Sequence, residues 1–269
     1  MSATVLITGA SSGIGAAVAQ LLHSNGFTVF GTTRSANPAK TNGFRMLRLE
    51  VDSEDSVRAC VQEVLSHSGR LDAVVNNAGF ALIGAAEETS LAEAKEQFET
   101  NFFGVVRVTD AVLPAMRKAG SGRVINIGSL AGLMAIPFTG FYCATKFALE
   151  AYTEASWYEL RPFGIWVSLI EPGFVRTGMS RSSRIPAQLL QEYDSARTRT
   201  AAAVARSVED GVAPELVAET VLRAVRSRRP KLRYRVGAAA RWLPRVRNAA
   251  PWNVFAAGVR RTFALDAGG

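Results

Sequence analysis

Seven short apolar runs rich in β-branched residues recur along the chain and predict β-strands. The runs are Thr4–Thr8, Thr28–Thr32, Met46–Val51, Ala73–Asn76, Val124–Ile127, Ile165–Ile170 and Leu232–Val236. Stretches of helical period separate most of them, and in the first of these Ile14, Val18 and Leu22 share one face. Strands that alternate with helices predict a doubly wound α/β fold, in which helices cover both faces of a mainly parallel seven-stranded sheet.

No repeat or low-complexity linker divides the 269 residues, so we expect a single domain over 1–269. Two segments depart from the alternation of strands and helices. Residues 176–212 are polar and follow a strand end, where open α/β sheets bind ligands, so we interpret them as a substrate lid. A surface insertion is the alternative. Residues 237–269 form a basic C-terminal extension.

The first strand leads directly into a glycine-rich loop in which the next helix begins. Glycines permit a tight turn and let the backbone approach a pyrophosphate, whose charge lies against the free N–H groups of the helix N-terminus. The loop therefore predicts a dinucleotide site, with a plain turn as the alternative. Its candidate ligands are Gly9, Ser11, Ser12, Gly13, Ile14 and Gly15.

The end of the second strand bears on the choice of dinucleotide. In sheets of this type an acid roughly 20 residues beyond the loop binds the ribose 2′-hydroxyl of NAD. Residues 31–35 contain no acid, but they include Arg34, which can pair with a 2′-phosphate. We therefore favour NADP(H) over NAD(H). An arginine in a solvated loop is the alternative interpretation of Arg34.

Tyr142 and Lys146 are the candidate proton-transfer pair. They lie four residues apart in a helical pattern, so both emerge on one face. A nearby ammonium favours the phenolate, so we expect Lys146 to lower the pKa of Tyr142 from its ordinary value of ~10 and make it a general acid–base. Ser129 follows the fifth apolar run and can orient a substrate oxygen. Its alternative role is that of a turn or cap residue.

Asn101 stands beside the apolar stripe that Phe98, Phe102 and Val105 form in a helical pattern. Helix interiors disfavour asparagine because its side chain competes for backbone hydrogen bonds. We therefore expect a partner that compensates it, with solvent exposure as the alternative.

The loop spacing Gly-x-x-x-Gly-x-Gly, the run 76–79 (Asn-Asn-Ala-Gly) and the ordered set of Asn101, Ser129, Tyr142 and Lys146 resemble the classical short-chain dehydrogenase/reductase family. The resemblance extends from Thr4 to about Thr177. It implies a Rossmann-like fold, a homodimer or homotetramer, and NADP(H)-dependent hydride transfer between a ketone or aldehyde and an alcohol.

The resemblance also implies roles for individual residues. Asn101 would hold a water that links Lys146 to solvent, and Lys146 would bond the nicotinamide ribose. The implied cofactor contacts are Glu50 and Val51 on the adenine side, Asn77 with Ala78 and Gly79 on the ribose side, and Pro172, Gly173, Val175 and Thr177 beside the nicotinamide.

Apolar residues after Ser129 and near Phe174 suggest a lipophilic substrate, such as a steroid- or retinoid-like ketone or secondary alcohol. The pocket candidates are Leu133, Met134, Ile136, Pro137, Phe138, Phe174 and Met179. One alternative is reduction of 3-oxoacyl groups on an acidic carrier protein, which Arg176, Arg181 and Arg184 would meet. A non-catalytic NADP-sensing protein is the second alternative.

Composition excludes several other classes. Two cysteines without paired spacing argue against a disulfide framework or a metal site. A missing leader and the lack of an apolar run of roughly 18 residues predict a cytoplasmic protein.

The net charge of +8 is concentrated, because residues 223–261 hold twelve Arg or Lys and no acid. Aromatic residues recur there at helical spacing, which suggests peripheral contact with an anionic membrane, or packing on the domain or on a sister subunit. We expect no nucleic acid, since no recognised binding motif accompanies the charge.

Overall fold

The structure is a computed structural model that describes residues 2–36, 43–178 and 183–265. Its strands are β1 (Thr4–Ile7), β2 (Thr28–Thr33), β3 (Arg45–Arg48), β4 (Ala73–Asn76), β5 (Gly122–Ile127), β6 (Ile165–Pro172) and β7 (Arg233–Val236). Its α-helices are α1 (Gly13–Ser24), α2 (Glu54–Ser68), α3 (Leu91–Phe98), α4 (Gly104–Ala119), α5 (Gly140–Leu160), α6 (Asp194–Glu209), α7 (Pro214–Arg226), α8 (Ala238–Ala249) and α9 (Trp252–Thr262).

The seven strands form one sheet in the order β3-β2-β1-β4-β5-β6-β7, and every neighbouring pair is parallel. The predicted doubly wound, seven-stranded fold is thereby confirmed. The strand order reverses between β1 and β4. Ligands of such sheets bind at the carboxyl edge beside this reversal, so the topology already indicates where a site should lie.

Helices cover both faces of the sheet, as the alternation of elements predicted. On one face α1 and α7 pack together through a buried cluster that includes Val18, Leu22 and Val221. On the other face α2 and α4 pack through a second cluster that includes Val61 and Val112. The β-strands are buried between these two layers, which explains their nearly continuous apolar runs.

The third strand ends earlier than its apolar run, so the prediction of a strand to Val51 was wrong. Regular pairing stops at Arg48, because the chain turns to start α2. The amide N–H of Glu50 donates to Ser56 Oγ at 2.9 Å, and the Ser53 side chain caps the helix. The last apolar residues of the run are buried all the same, against the core below α2.

Residues 176–212, predicted as a lid, contain a short 3₁₀ turn at Gln191–Tyr193 and the helix α6. The C-terminal region adds α8 and α9 after the last strand. Among the residues that the structure describes, none of the helices has both the length and the apolar character needed to cross a membrane.

Candidate active site

Two adjoining cavities open at the carboxyl edge of the sheet, beside the point where the strand order reverses. The first has a volume of about 440 Å³ and lies against the glycine-rich loop and the end of β2. The second, of about 280 Å³, lies between the end of β5, α5 and α6. Ile14, Asn77, Gly79 and Thr177 line both, so the two cavities meet at a shared boundary.

The glycine-rich loop makes a turn that other residues would not permit. Gly9 and Gly13 have φ angles of 66° and 56°, in the left-handed region that favours glycine. A Cβ atom on Gly15 would lie 2.2 Å from the carbonyl oxygen of Gly9, so α1 can start this close to the loop only with glycine there. The loop is a cradle in which backbone N–H groups can meet phosphate.

Side chains from two neighbouring strands hold this loop in place. Thr8 Oγ accepts hydrogen bonds from the amides of Asn77 and Ala78, at 2.9 and 3.0 Å. In return Asn77 Nδ2 donates to the carbonyls of Thr8 and Gly9, both at 3.0 Å. The sequence analysis did not single out Thr8, although a threonine that ends the first apolar run directly before the loop was visible.

Most predicted cofactor residues border one of the two cavities. Those at the first cavity are Gly9, Ser11, Ser12, Gly13, Ile14, Arg34, Val51, Asn77, Ala78, Gly79 and Thr177. Those at the second are Pro172, Gly173 and Val175, together with Tyr142 and Lys146. Gly15 and Glu50 line neither cavity. Gly15 packs beneath the loop, while the carboxylate of Glu50 accepts a hydrogen bond from Arg48 at 2.6 Å.

Arg34 is exposed at the wall of the first cavity, immediately after β2. Arg184, which the sequence analysis assigned to a protein partner, also borders this cavity. Its guanidinium lies 4.2 Å from the ring centroid of Phe80 and binds Glu96. Within the described part of the chain the walls of this cavity carry two cations and no carboxylate, which suits an anionic ligand.

Tyr142, Ser129 and Lys146 meet at the wall of the second cavity. The Tyr142 hydroxyl is hydrogen-bonded to Ser129, and Lys146 Nζ lies 5.8 Å from the centroid of the Tyr142 ring. The buried ammonium donates to the carbonyl of Ile127 at 2.9 Å. The turn after β5 and the first two turns of α5 thus bring three groups able to exchange protons to one place.

The protonation of this group differs from the sequence-based expectation. Burial raises the pKa of Tyr142 to about 12, even though its hydrogen bond with Ser129 acts in the opposite direction. Burial also lowers the pKa of Lys146 to about 8, so its positive charge is itself costly. The expectation that Lys146 lowers the pKa of Tyr142 is therefore wrong in this structure. Tyr142 is a neutral phenol, ready to donate a proton.

Asn101 lies in a π-helical segment, Glu99–Phe103, that joins α3 to α4. Its side chain is buried and satisfied: Oδ1 accepts from the Phe80 amide at 3.0 Å, and Nδ2 donates to the Phe80 carbonyl at 2.9 Å. Nδ2 also lies 3.3 Å from Thr145 Oγ, next to Lys146 on α5. The expected compensating partner is present, and the alternative of solvent exposure is wrong.

The second cavity is mostly apolar, and much of its wall comes from α6, a helix of the predicted lid segment whose apolar face the sequence analysis did not identify. Four side chains of α6 face it, namely Ala201, Val204, Ala205 and Val208. Their spacing of three, four and seven residues is that of one helical face, so it could have predicted this wall. Ala81 and Ile83 contribute from the segment after β4.

Several predicted pocket residues lie elsewhere. Ile136 and Phe174 border the second cavity, but Leu133, Met134, Pro137 and Phe138 do not. Met134 packs instead into a cluster with Leu130 and Phe255, because the C-terminal helices cover that side of the loop. Met179 lies outside the described residues, as does Arg181.

The segment that carries α6 is attached to the body by a buried ion pair. Glu88, whose side chain is fully buried, binds Arg197 on α6 and accepts hydrogen bonds from the amides of Ala85 and Leu190, at 2.7 and 2.9 Å. Burial raises the pKa of Glu88, but these three partners outweigh it and hold the pKa below its ordinary value. Glu88 is therefore a charged anchor for the α6 segment.

Comparison with known proteins agrees with this geometry. Residues 3–188 match the family described as short chain dehydrogenase, which is more than half of the chain. The chain belongs to the short-chain dehydrogenase family. The 3-ketodihydrosphingosine reductase of Bacteroides thetaiotaomicron is 41% identical to it over 236 residues, covering 87% of each chain.

Solved structures of short-chain dehydrogenases share the fold over nearly the whole chain. One from Streptomyces avermitilis superposes with a TM-score of 0.81 at 30% identity, covering 100% of this chain and 99% of that one. Another, from Burkholderia phymatum in complex with NAD, has a TM-score of 0.79 at 25% identity, with 92% and 93% covered. This short-chain dehydrogenase is an oxidoreductase that acts on CH–OH or C=O groups with a nicotinamide cofactor.

Proposed function

We propose that this enzyme interconverts a lipophilic ketone and its secondary alcohol with NADP(H). The observation that supports the substrate class is the second cavity, where an apolar wall faces the hydroxyl groups of Tyr142 and Ser129. Lys146 is the one charged residue among its described lining residues. A neutral, lipophilic carbonyl compound fits such walls better than a charged one, since charge would have to be desolvated there.

The geometry supports separate roles for the cofactor, Tyr142 and Ser129 in the reduction. When bound in the first cavity, the cofactor supplies the hydride that adds to the carbonyl carbon. Tyr142 donates its proton to the carbonyl oxygen, and Ser129 donates a second hydrogen bond to the same oxygen. Prearranged donors of this kind are commonly worth ~3–4 kcal/mol each. A pKa of about 12 keeps Tyr142 protonated at neutral pH, as a proton donor must be.

Three further roles belong to this proposal. Lys146, whose ammonium is already held by the Ile127 carbonyl, would bond the nicotinamide ribose. Asn101 would hold a water on the route by which the Tyr142 phenolate regains a proton from solvent. Pro172, Gly173 and Val175 would border the nicotinamide ring. Pro172, Gly173 and Val175 line the second cavity together with Lys146, which supports their proposed role.

We propose NADP(H) rather than NAD(H), on the strength of Arg34. Its guanidinium borders the first cavity just after β2, where it would pair with the 2′-phosphate of NADP, and carboxylates are absent from the described walls. The relative from Burkholderia phymatum was solved with NAD, so the family itself does not decide the choice. The 3-ketodihydrosphingosine reductase supports a lipophilic ketone by its name.

The alternative of a carrier-bound 3-oxoacyl substrate receives less support. Arg184 is paired with Glu96 and stacks on Phe80, and Arg176 donates to the carbonyl of Gly211 at 2.7 Å. Both arginines are thus engaged within the chain. The alternative of a non-catalytic sensor is set aside, because the chain belongs to a family of enzymes and retains Tyr142 and Lys146.

We further propose that residues 176–212 act as a substrate lid, with α6 as its inner wall. Homodimer or homotetramer formation and contact of residues 237–269 with a membrane surface complete the proposal.

A panel of ketones and alcohols, followed through NADPH absorbance at neutral pH, tests the proposed reaction and substrate class. We expect the highest kcat/KM with bulky apolar ketones. Equal rates with small polar ketones would contradict the proposed substrate class.

A further inference from the structure

The two C-terminal helices, α8 and α9, expose large apolar side chains to solvent. Trp242 and Val246 lie one turn apart on α8 and are 62% and 46% exposed. Trp252, at the start of α9, is 70% exposed, and Val254 is 59% exposed. We call these four residues, together with the exposed Arg241, Arg245 and Arg261, the C-terminal face. So much exposed apolar area within thirteen residues marks an interaction surface.

On α8 the side opposite Trp242 is buried, which fixes the direction in which that part of the C-terminal face points. On α8 the buried residues are Ala240 and Pro244. On α9 Phe255 is buried, and Phe263 just beyond the helix is buried as well. Trp242 therefore points outwards from α8. Trp252 is exposed at the first residue of α9, on the same side of the helix as Phe255, and 6.1 Å separates the two ring centroids.

The charge of this surface is uniformly positive. Residues 223–261 contain no Asp or Glu, and Arg241, Arg245 and Arg261 are all exposed. The Arg245 guanidinium lies 5.3 Å from the centroid of the Trp242 ring. Tryptophan beside arginine is the combination that enters the interface of an anionic bilayer, with the indole at headgroup depth and the cation near the phosphates.

The helices that carry the C-terminal face pack against residues that line the substrate cavity. Phe255 packs in one cluster with Leu130 and Phe174, which line that cavity. The chain just beyond α9 also contacts the lid helix, since Arg199 Nε donates to the carbonyl of Ala264 at 2.9 Å. Helices that carry the exposed tryptophans therefore touch both the loop and the lid that enclose the substrate.

We propose that the C-terminal face docks on an anionic bilayer and presents the second cavity to the lipid, so that a lipophilic substrate enters from the membrane. Docking develops the membrane contact proposed above, and the route of substrate entry rests in addition on the proposed substrate class. The positive charge of the C-terminal face favours an anionic bilayer over a second copy of this chain. In a symmetric contact between two copies through this face, the same arginines would oppose one another, whereas phosphate headgroups neutralise them.

Sedimentation of the full chain with vesicles tests the docking. We expect binding to phosphatidylcholine vesicles that contain phosphatidylglycerol, weak binding to phosphatidylcholine alone, and release by salt. Trp242→Ala combined with Trp252→Ala should lower the partition coefficient roughly tenfold or more. Both residues are exposed, so the variant should fold. Tyr158→Ala, which removes a 62% exposed aromatic residue from α5, is the matched control and should bind as the unchanged protein does.

A second pair of variants tests whether vesicle binding depends on the C-terminal face or only on the net charge of the protein. Arg241→Gln with Arg245→Gln should weaken vesicle binding, again by roughly tenfold or more. Arg228→Gln with Arg229→Gln removes the same charge from the loop before β7, at the opposite edge of the sheet, and should change binding little. Equal losses in both pairs, no binding at low salt, or self-association that the tryptophan variant abolishes would each overturn the proposal.

Turnover distinguishes failure of docking from failure of the proposed function. With a long-chain methyl ketone dissolved in the anionic vesicles, the double tryptophan variant should be several-fold slower, while cyclohexanone in solution should be reduced at an unchanged rate. Equal rates with the vesicle-borne ketone would overturn entry from the membrane. If the unchanged protein binds vesicles but reduces neither ketone, the proposed function fails and the docking surface stands.

Discussion

The two cavities of the site are built in opposite ways. The first is formed by backbone turns, since Gly9 and Gly13 adopt conformations that favour glycine and Thr8 ties the loop to the next strand. The second is formed by apolar side chains of segments far apart in the chain, including Ile136 and Val204. A cavity made of backbone tolerates few changes at its key positions, whereas one made of side chains can be reshaped residue by residue.

This difference assigns the two cavities different tasks. The first can keep one cofactor across many enzymes of the family, because its geometry depends on glycines and on a few hydrogen bonds. The second can accept a different substrate in each enzyme without disturbing the first. Tyr142, Ser129 and Lys146 line the second cavity, which meets the first at the boundary described above. Changes on either side of that boundary should therefore have separable effects.

The largest effect is expected from Tyr142→Phe, at the proton donor in the wall of the second cavity. Removing the proton donor should reduce kcat by roughly 10²–10⁴-fold, the range of general acid–base catalysis. Cofactor affinity, measured by NADPH fluorescence, should stay near that of the unchanged enzyme because the ring still fills its place. Tyr158→Phe, at an exposed position of the same helix, is the control. Near-normal turnover in Tyr142→Phe would remove this residue from the mechanism.

Arg34→Asp changes the first cavity alone. We expect the ratio of kcat/KM for NADPH to that for NADH to fall roughly ten- to hundredfold, which corresponds to one charge-assisted hydrogen bond of ~1.5–3 kcal/mol. The ranking of ketone substrates should not change. Arg58→Asp, on the exposed surface of α2, serves as the control for charge. An unchanged cofactor ratio would show that Arg34 does not contact the 2′-phosphate.

Glu88→Gln changes the second cavity alone. The variant leaves Arg197 without its buried partner, so α6 should be held less firmly and KM for bulky ketones should rise several-fold. KM for NADPH should remain constant. Glu87→Gln, which removes the charge from the surface contact with Tyr193, is the matched control.

Breaking a buried ion pair can cost ~3–5 kcal/mol, so folding of the Glu88 variant is checked by thermal unfolding. Arg197→Lys in the otherwise unchanged enzyme keeps a cation opposite Glu88, so it should retain most of the affinity for bulky ketones if α6 is the wall that matters. Equal changes of KM for large and small ketones would argue against a role of this anchor in specificity.

The smallest effect is expected from Glu150→Gln, which touches neither cavity. Burial and the neighbouring Glu171 raise the pKa of Glu150 to about 8, although Arg233 opposes the shift. The folded state therefore keeps a proton that the unfolded chain loses above its ordinary pKa of 4.5, and stability should fall as pH rises from there through about 8. Glu150→Gln should flatten this dependence in thermal unfolding at several pH values, while Glu154→Gln should not.

Much of the first cavity could be predicted from sequence, because its residues follow each other closely and each follows a strand. The loop at 9–15 and the Asn-Asn-Ala-Gly run at 76–79 are local patterns with a physical reason for every glycine. Glu50 was the weak point. The position of its side chain depended on where β3 ends. Because the chain turns into α2, β3 ends at Arg48, three residues before the predicted end at Val51.

The second cavity was predicted less well, for a physical reason. Leu133 and Met134 are as apolar as Ile136, and sequence alone does not say which of them face a ligand and which face a neighbouring helix. The packing of α9 against Met134 decided it. The pKa of Tyr142 was also mispredicted, because burial, which depends on the whole fold, raises it and outweighs the hydrogen bond with Ser129.

The π-helical segment at Glu99–Phe103 explains why Asn101 stood beside the apolar stripe in the sequence and yet is buried. The amide of Gly104 donates to the carbonyl of Glu99, five residues back, so this turn holds one residue more than an α-helical turn. The faces of α3 and α4 are consequently out of phase. Deleting a single residue here would bring them into phase, lengthen an ordinary helix, and rotate the amide of Asn101 away from α5. The extra residue of the π-helical turn thus keeps the side chain of Asn101 against Thr145 on α5, next to Lys146.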